Sequence, residues 1–130
     1  METHELSFAK INILQPDIAE VIVNEGVELN LAMVEEYHSF LLSHLQPPFS
    51  LLINKMHSYT YDFDAQQKLA TLPEIHVMAV VAYNYITEKT TEVLASYPRE
   101  QKWNLVIFSD RSEALDWLIS KQEELKQEAE

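Results

Sequence analysis

At 130 residues, with 47% hydrophobic and 23% charged side chains, the chain fits one globular domain and is too short for two. Nine basic residues face 21 acidic ones, a formal net charge of -12, and the basic ones (Lys10, Lys55, Lys68, Lys89, Arg99, Lys102, Arg111, Lys121, Lys126) are scattered; this argues against the basic surface that neutralises phosphates, so no nucleic-acid partner is expected. Cysteine is absent and Gly26 is the single glycine, which excludes disulfides, thiolate metal sites and the glycine-rich phosphate loops of nucleotide-binding folds.

In chain order, Leu6 to Leu14 mixes β-branched and aromatic residues and predicts a strand. Gln15-Pro16-Asp17 is a turn signal, and Ile18 to Val23 a second strand, so the pair predicts an antiparallel hairpin. Asn24-Glu25-Gly26 breaks it. Asn30 then caps a helix to about Leu45, with Leu31, Val34, His38, Leu41 and Leu45 on one stripe, stopped by Pro47-Pro48. Phe49 to Ile53 is a third strand, apolar on both faces. Asp64 with Gln67 forms a capping box for a short helix to about Leu72, ended by Pro73. Ile75 to Tyr83 is the fourth strand. Asn84 opens a helix that points Ile86, Thr90, Val93, Leu94 and Tyr97 inward and closes before Pro98. Trp103 to Phe108 is the fifth strand. A second capping box, Asp110 with Glu113, starts a last helix with Ala114, Leu118 and Leu125 inward, and the charged tail from about 121 to 130 is expected to fray.

Continuous apolar strands separated by helices predict a mostly parallel, five-stranded sheet with an N-terminal hairpin and four helices, covered on both faces: a single α/β domain over residues 1–130. The longest apolar run, around Val77 to Tyr83, is strand-sized, so no stable membrane insertion is expected. Met1-Glu2-Thr3-His4-Glu5 is acidic, the opposite of a secretion signal, and the expectation is a cytoplasmic protein.

The order of elements, and above all Val106-Ile107-Phe108 followed by Ser112-Glu113-Ala114-Leu115-Asp116-Trp117-Leu118, resembles the STAS domain and, within it, the small bacterial SpoIIAA-like proteins, also described as STAS/SEC14-like. The resemblance covers nearly the whole chain. It implies a docking role for Trp117 and Leu118 on the sheet. Family members include anti-sigma factor antagonists switched by phosphorylation of a Ser or Thr in the loop after the third strand. Here that loop runs from Asn54 to Asp62, and Ser58 and Thr60 are its hydroxyl candidates for phosphorylation. The Asp-Ser-Ser/Thr-Gly signature is missing, and Asp62-Phe63-Asp64 stands at the helix start, where carboxylates repel an incoming phosphate.

No group of residues amounts to a reaction. The histidines lack paired-ligand spacing: His38 and His44 fall on different helix faces, while His57 and His76 either approach across strand ends or lie far apart. No serine sits in a nucleophile elbow. The expectation is therefore no metal, no cofactor and no enzymatic activity. Tyr59 and Tyr61 follow the third strand, and Tyr83 and Tyr85 follow the fourth. With Thr60, Asp62 and Asn84 they define an expected surface beyond the carboxyl ends of parallel strands, where open α/β sheets bind ligands. The leading expectation is a regulatory module that binds an unknown protein partner. The alternative, implied by the SEC14-like resemblance, is a carrier of a small apolar ligand or lipid. A sheet edge or the last helix offers a surface for a homodimer, which nothing in the sequence specifies.

Overall fold

The computed structural model describes residues 2–97 and 103–129. In chain order the elements are β1 (Glu2–Glu5), β2 (Ala9–Gln15), β3 (Ile18–Val23), β4 (Glu28–Leu29), α1 (Leu31–His44), β5 (Phe49–Asn54), β6 (Thr60–Tyr61), α2 (Phe63–Lys68), β7 (Ile75–Val81), α3 (Tyr85–Ser96), β8 (Leu105–Phe108) and α4 (Arg111–Ala129). The main sheet is six-stranded, in the order β1-β2-β3-β5-β7-β8, and β4 pairs with β6 in a separate two-stranded sheet. The first two pairings are antiparallel; those from β3 to β8 are parallel. The sheet is thus mixed rather than mostly parallel and five-stranded. The expected first strand, Leu6 to Leu14, is β2 from Ala9, and an additional strand β1 precedes it across a turn closed by Leu6 N–H to Ala9 O. Periodicity passes over β1 because Glu2-Thr3-His4-Glu5 is an edge strand, and a polar, charged edge discourages pairing with other chains.

Alternation along the strands divides the core in two. Ala19, Val21, Leu51 and Met78 point to one face, where they meet Val34, Tyr37 and Leu41 of α1 and Ala65 of α2. Ile18, Leu52, Val77, Ala79 and Val81 point to the other, where Ala114 and Leu118 of α4 cover them. Leu118 is fully buried, and Trp117 packs against Phe108 with ring centroids 5.6 Å apart, the docking role implied for this pair.

Asn30 and Asn84 cap α1 and α3 as expected, their Oδ1 atoms accepting from Met33 N–H and Thr87 N–H. The α2 cap is Asp62 rather than Asp64, and the helix stops at Lys68 because Ala70 takes a left-handed conformation, φ 56°. His38, half-buried, holds that stop: its Nε2 accepts from Ala70 N–H at 3.0 Å. On α1 Val34, Leu41 and Leu45 of the expected stripe are buried, joined by Tyr37 and Phe40, while Leu31 is exposed. The α3 stripe needs a larger correction. Thr91 and Leu94 are its buried residues, whereas Ile86, Thr90, Val93 and Tyr97 are exposed. Pro98, the expected stop, lies outside the described residues.

The tail expected to fray from 121 is helical to Ala129. Gln122 is buried, accepting from Ser50 Oγ at 2.6 Å and donating to Asp17 Oδ2 and the Pro48 carbonyl. At the other end of α4, Arg111 reaches Glu20 in the middle of β3 with two bonds, 2.8 Å from Nε and 3.0 Å from the terminal nitrogen. Asn12 and Asn54 also donate to the Glu20 carboxylate, at 3.1 and 2.9 Å. Burial by itself would push this carboxyl up; the hydrogen bonds from Arg111, Asn54 and Asn12 together outweigh it and hold the group at about 2. The sequence reading missed Glu20, because a lone charge in an apolar strand carries no sign of its partners.

A folded value of about 2 lies below the ordinary 4.5, so the Glu20 contribution is complete above about pH 4.5 and is lost as the pH falls toward 2. Glu20→Gln, which keeps the shape but removes the charge, is expected to cost about 1.5–3 kcal/mol at neutral pH. Urea unfolding across a pH series checks this: the gap between wild type and variant narrows below pH 4.5. A gap constant with pH would show that the charge does not stabilise the fold.

Candidate functional site

The β5 strand ends at Asn54, and the next residue turns its long side chain under α3 rather than out to water. Lys55 Nζ donates to Thr91 Oγ1 at 3.1 Å and sits over the rings of Tyr59 and Tyr61, 5.6 and 6.0 Å from their centroids. Its backbone N–H is tied to the Val81 carbonyl, which fixes the start of the chain's turn. Tyr59 precedes β6 and Tyr61 is its second residue; the pairing of β6 with β4 is extended by bonds from Thr60 N–H to Val27 O and Asp62 N–H to Leu29 O. Gly26, in a left-handed conformation at φ 79°, lets the 24–27 segment turn, and its N–H donates to Ser58 O. The small second sheet is thus what aims the two tyrosines inward.

They wall an apolar cavity of about 50 Å³ that Phe8, Val21, Met78 and Trp103 also line, with Lys55 as its charged group. On the outer side of the same two tyrosines, a groove of about 420 Å³ runs against Thr90, Val93, Leu94 and Tyr97 of α3 and its C-terminal end. This explains the exposed stripe of α3: Thr90, Val93 and Tyr97 face the groove, not the core.

Burial pushes the Lys55 amine down to about 8. Burial, and then the neighbouring Tyr61, pushes the Tyr59 hydroxyl well above its ordinary value; the same two causes, in the same order, raise Tyr37. The phenols therefore stay neutral and supply no counter-charge. No carboxylate pairs with Lys55 among the described residues. A lone lysine after a strand gives no sequence signal for burial, so the reading from sequence missed it.

The expected surface divides. Tyr59 and Tyr61 belong to the cavity and groove, with rings edge to face at 5.6 Å, and exposed Thr60 lines the groove beside them. Asp62 caps α2 and Asn84 caps α3. Tyr83 turns to the opposite face of the sheet, where its hydroxyl donates to Asn54 Oδ1 at 2.8 Å and joins the Glu20 network. Tyr85 is exposed, with Lys89 Nζ 5.4 Å from its ring centroid. Ser58 and Thr60 are exposed; Ser58 N–H donates to Glu25 Oε2, well ahead of the α2 cap. His57 follows β5 while His76 lies near the start of the parallel neighbour β7, so the two stand toward opposite rims of the sheet. Among the described residues, no group of three or more His, Asp or Glu could hold a metal ion, and no helix is long and apolar enough to cross a membrane.

No protein-family model matches the chain, and no curated protein matches it. Among solved structures it is similar to an uncharacterized protein of the DUF3478 family with a SpoIIAA-like fold, from Shewanella loihica PV-4. The TM-score is 0.53 at 19% identity, over 85% of this chain and 91% of that one. The fold is SpoIIAA-like. At this identity the likeness extends to architecture alone.

With a folded value of about 8 against the ordinary 10.5, charged Lys55 opposes folding below pH 8, and stability rises as the pH climbs from 8 toward 10.5. Lys55→Met removes the buried charge at similar volume and is expected to stabilise the protein by about 1–3 kcal/mol at pH 7, after allowance for partial exposure. Urea midpoints at pH 7 and pH 9 check it, the gain shrinking at the higher pH. A destabilised variant at pH 7 would refute the assignment of an uncompensated cation.

Proposed function

We propose that this chain is a non-enzymatic regulatory or protein-interaction module of STAS/SpoIIAA-like type, a single cytoplasmic domain over residues 1–130. It docks a protein partner through the rim beyond the carboxyl ends of β5 and β7. The observation that carries this reading is a set of large apolar side chains left in water there. Met56 is 53% exposed, Phe63 74%, Tyr83 50%, Tyr85 70% and Ile86 76%. All five lie in the segments that immediately follow β5, β6 and β7. Scattered exposed apolar residues are ordinary; several on one rim, with tyrosine, phenylalanine and methionine among them, match the composition of interface cores.

Ser58 and Thr60 are the hydroxyls of this rim that a kinase could modify. A phosphate on Ser58 would add negative charge beside Glu25, whose carboxylate accepts the Ser58 N–H, and so would act by repulsion on the 24–29 segment. A lipid carrier is less well supported. The space beneath α3 is about 50 Å³, against roughly 300–1,000 Å³ for typical ligand pockets, and the larger volume beside it is a groove open to solvent.

The test is Phe63→Ser with Ile86→Ser, two surface changes that leave the caps Asp62 and Asn84 in place. Stability is expected to stay within about 0.5 kcal/mol of wild type. Affinity capture from the native host should return a protein that binds wild type and not the double variant, at equal bait folding by circular dichroism. A partner set unchanged by the two substitutions would remove this surface from consideration.

A further inference from the structure

We propose that the cavity beneath α3 and the groove outside it form one binding site for a small organic monocarboxylate, with its acid group at Lys55 Nζ and its apolar body in the groove beyond Tyr59 and Tyr61. The inference is independent of the rim reading, since it uses neither Phe63 nor Ile86.

Three observations carry it. The first is the cation itself. A lysine ammonium has three N–H donors, and Thr91 Oγ1 accepts one of those on Lys55; the tyrosine rings add cation–π contact but no negative charge. A buried charge without a counter-ion is costly, and such a group persists where something else supplies the opposite charge. The second is the local chemistry. In a chain with 21 acidic residues and nine basic ones, the side chains lining the cavity and groove include Lys55 and Lys89 and, among the described residues, not one Asp or Glu. A body with that much negative charge repels anions, and the described lining of this pocket adds no carboxylate to that repulsion. The third is shape. About 50 Å³ holds little more than one water's share of liquid volume, roughly 30 Å³, and suits an acid group. Tyr59 and Tyr61 are common walls of cavity and groove, and the 420 Å³ beyond them, against Val93, Leu94 and Tyr97, suits an aryl ring or a medium-length chain.

Among the described residues Lys55 is the one cation of the inner cavity, and it selects among anions. A phosphoryl group carries more charge and three strong acceptors, and it is met elsewhere by arginine forks or glycine-rich backbone nests. Among the described residues, neither an arginine nor a glycine lines this site. One ammonium among apolar walls is the counterpart of one carboxylate on an apolar body. The body lies outward, so the ligand enters from the groove, and Tyr59 and Tyr61 are the side chains it must pass.

Trp103 lines the cavity, while Trp117 packs on the far face of the sheet, which supplies a local reporter. The experiment titrates hexanoate and phenylacetate, with hexanamide and phenylacetamide as neutral isosteres, against a Trp117→Phe protein by fluorescence and against wild type by calorimetry. Expected are a saturable change in Trp103 emission, a roughly tenfold or greater preference for acid over amide, and loss of binding in Lys55→Met with the fold intact. Val93→Trp, which narrows the groove without touching Lys55, should weaken hexanoate by roughly tenfold. No saturable binding of either acid up to about 10 mM, equal affinity for acid and amide, or undiminished binding by Lys55→Met would each overturn the proposal. Undiminished hexanoate binding by Val93→Trp would overturn the placement of the body in the groove.

Discussion

The parallel strands β3, β5, β7 and β8 are laid down one beside the next, in sequence order and without reversal. Crossovers between parallel strands are right-handed, so each connecting helix is returned to the same side. This places α1, α2 and α3 together on one face and leaves α4, the element after the last strand, to close the other alone. One helix cannot cover six strands. The α4 residues Ala114 and Leu118 bury the apolar side chains of β5 and β7. Beyond their reach, toward β2 and β3, the sheet changes chemistry: Asn12, Glu20 and Asn54 replace aliphatic side chains, and Arg111 closes over them. The polar network is what remains when a fold commits three helices to one side.

That network also sets the position of α4. Arg111 and Gln122 are eleven residues apart, about 16 Å of helix, and each is tied to a different strand. Arg111 is held by Glu20 in β3, and Gln122 by Ser50 at the start of β5 and by Asp17 just before β3. A helix fixed by hydrogen bonds at two points along its axis cannot slide on an apolar sheet, which by itself offers no register. Burial supplies most of the attraction and the two polar pins supply the alignment.

The same topology moves the candidate site. Open α/β sheets bind ligands in a crevice where the strand order reverses and the connections diverge to opposite faces. With no reversal among β3, β5, β7 and β8 there is no such switch point, and the rim beyond β5 and β7 carries exposed side chains such as Met56, Tyr83 and Tyr85. The space lies instead within the helical layer, under α3. That helix buries Thr91 and Leu94, where α1 buries Val34, Tyr37, Phe40 and Leu41. A helix seated on so few side chains leaves room between itself, α2 and the sheet, and Lys55 with the tyrosines of β6 partly fills it.

How much of this could be read from sequence follows from where each signal is stored. The central strands and the asparagine caps were legible because apolar runs and cap chemistry are local: Ile18 to Val23, Asn30 and Asn84 need no distant residue to be recognised. Asp110 belongs with them, its Oδ1 accepting from Ser112 N–H. The edge strand β1 was not legible, since its polarity is a response to exposure, nor were β4 and β6, whose two-residue lengths carry no periodicity. The phase of α3 misled because its apolar stripe is real but faces a groove, and periodicity records that a face is apolar without recording what covers it. Lys55 and Glu20 are the deepest case. Each is a single charged residue, Glu20 within an apolar run and Lys55 just after one, and by composition each belongs in water. One is buried with four donors converging on a carboxylate and the other with a hydroxyl and two aromatic rings beneath an ammonium. The contrast separates a structural charge from a candidate functional one: Glu20 finds its compensation inside the fold, and Lys55 meets no carboxylate among the described residues.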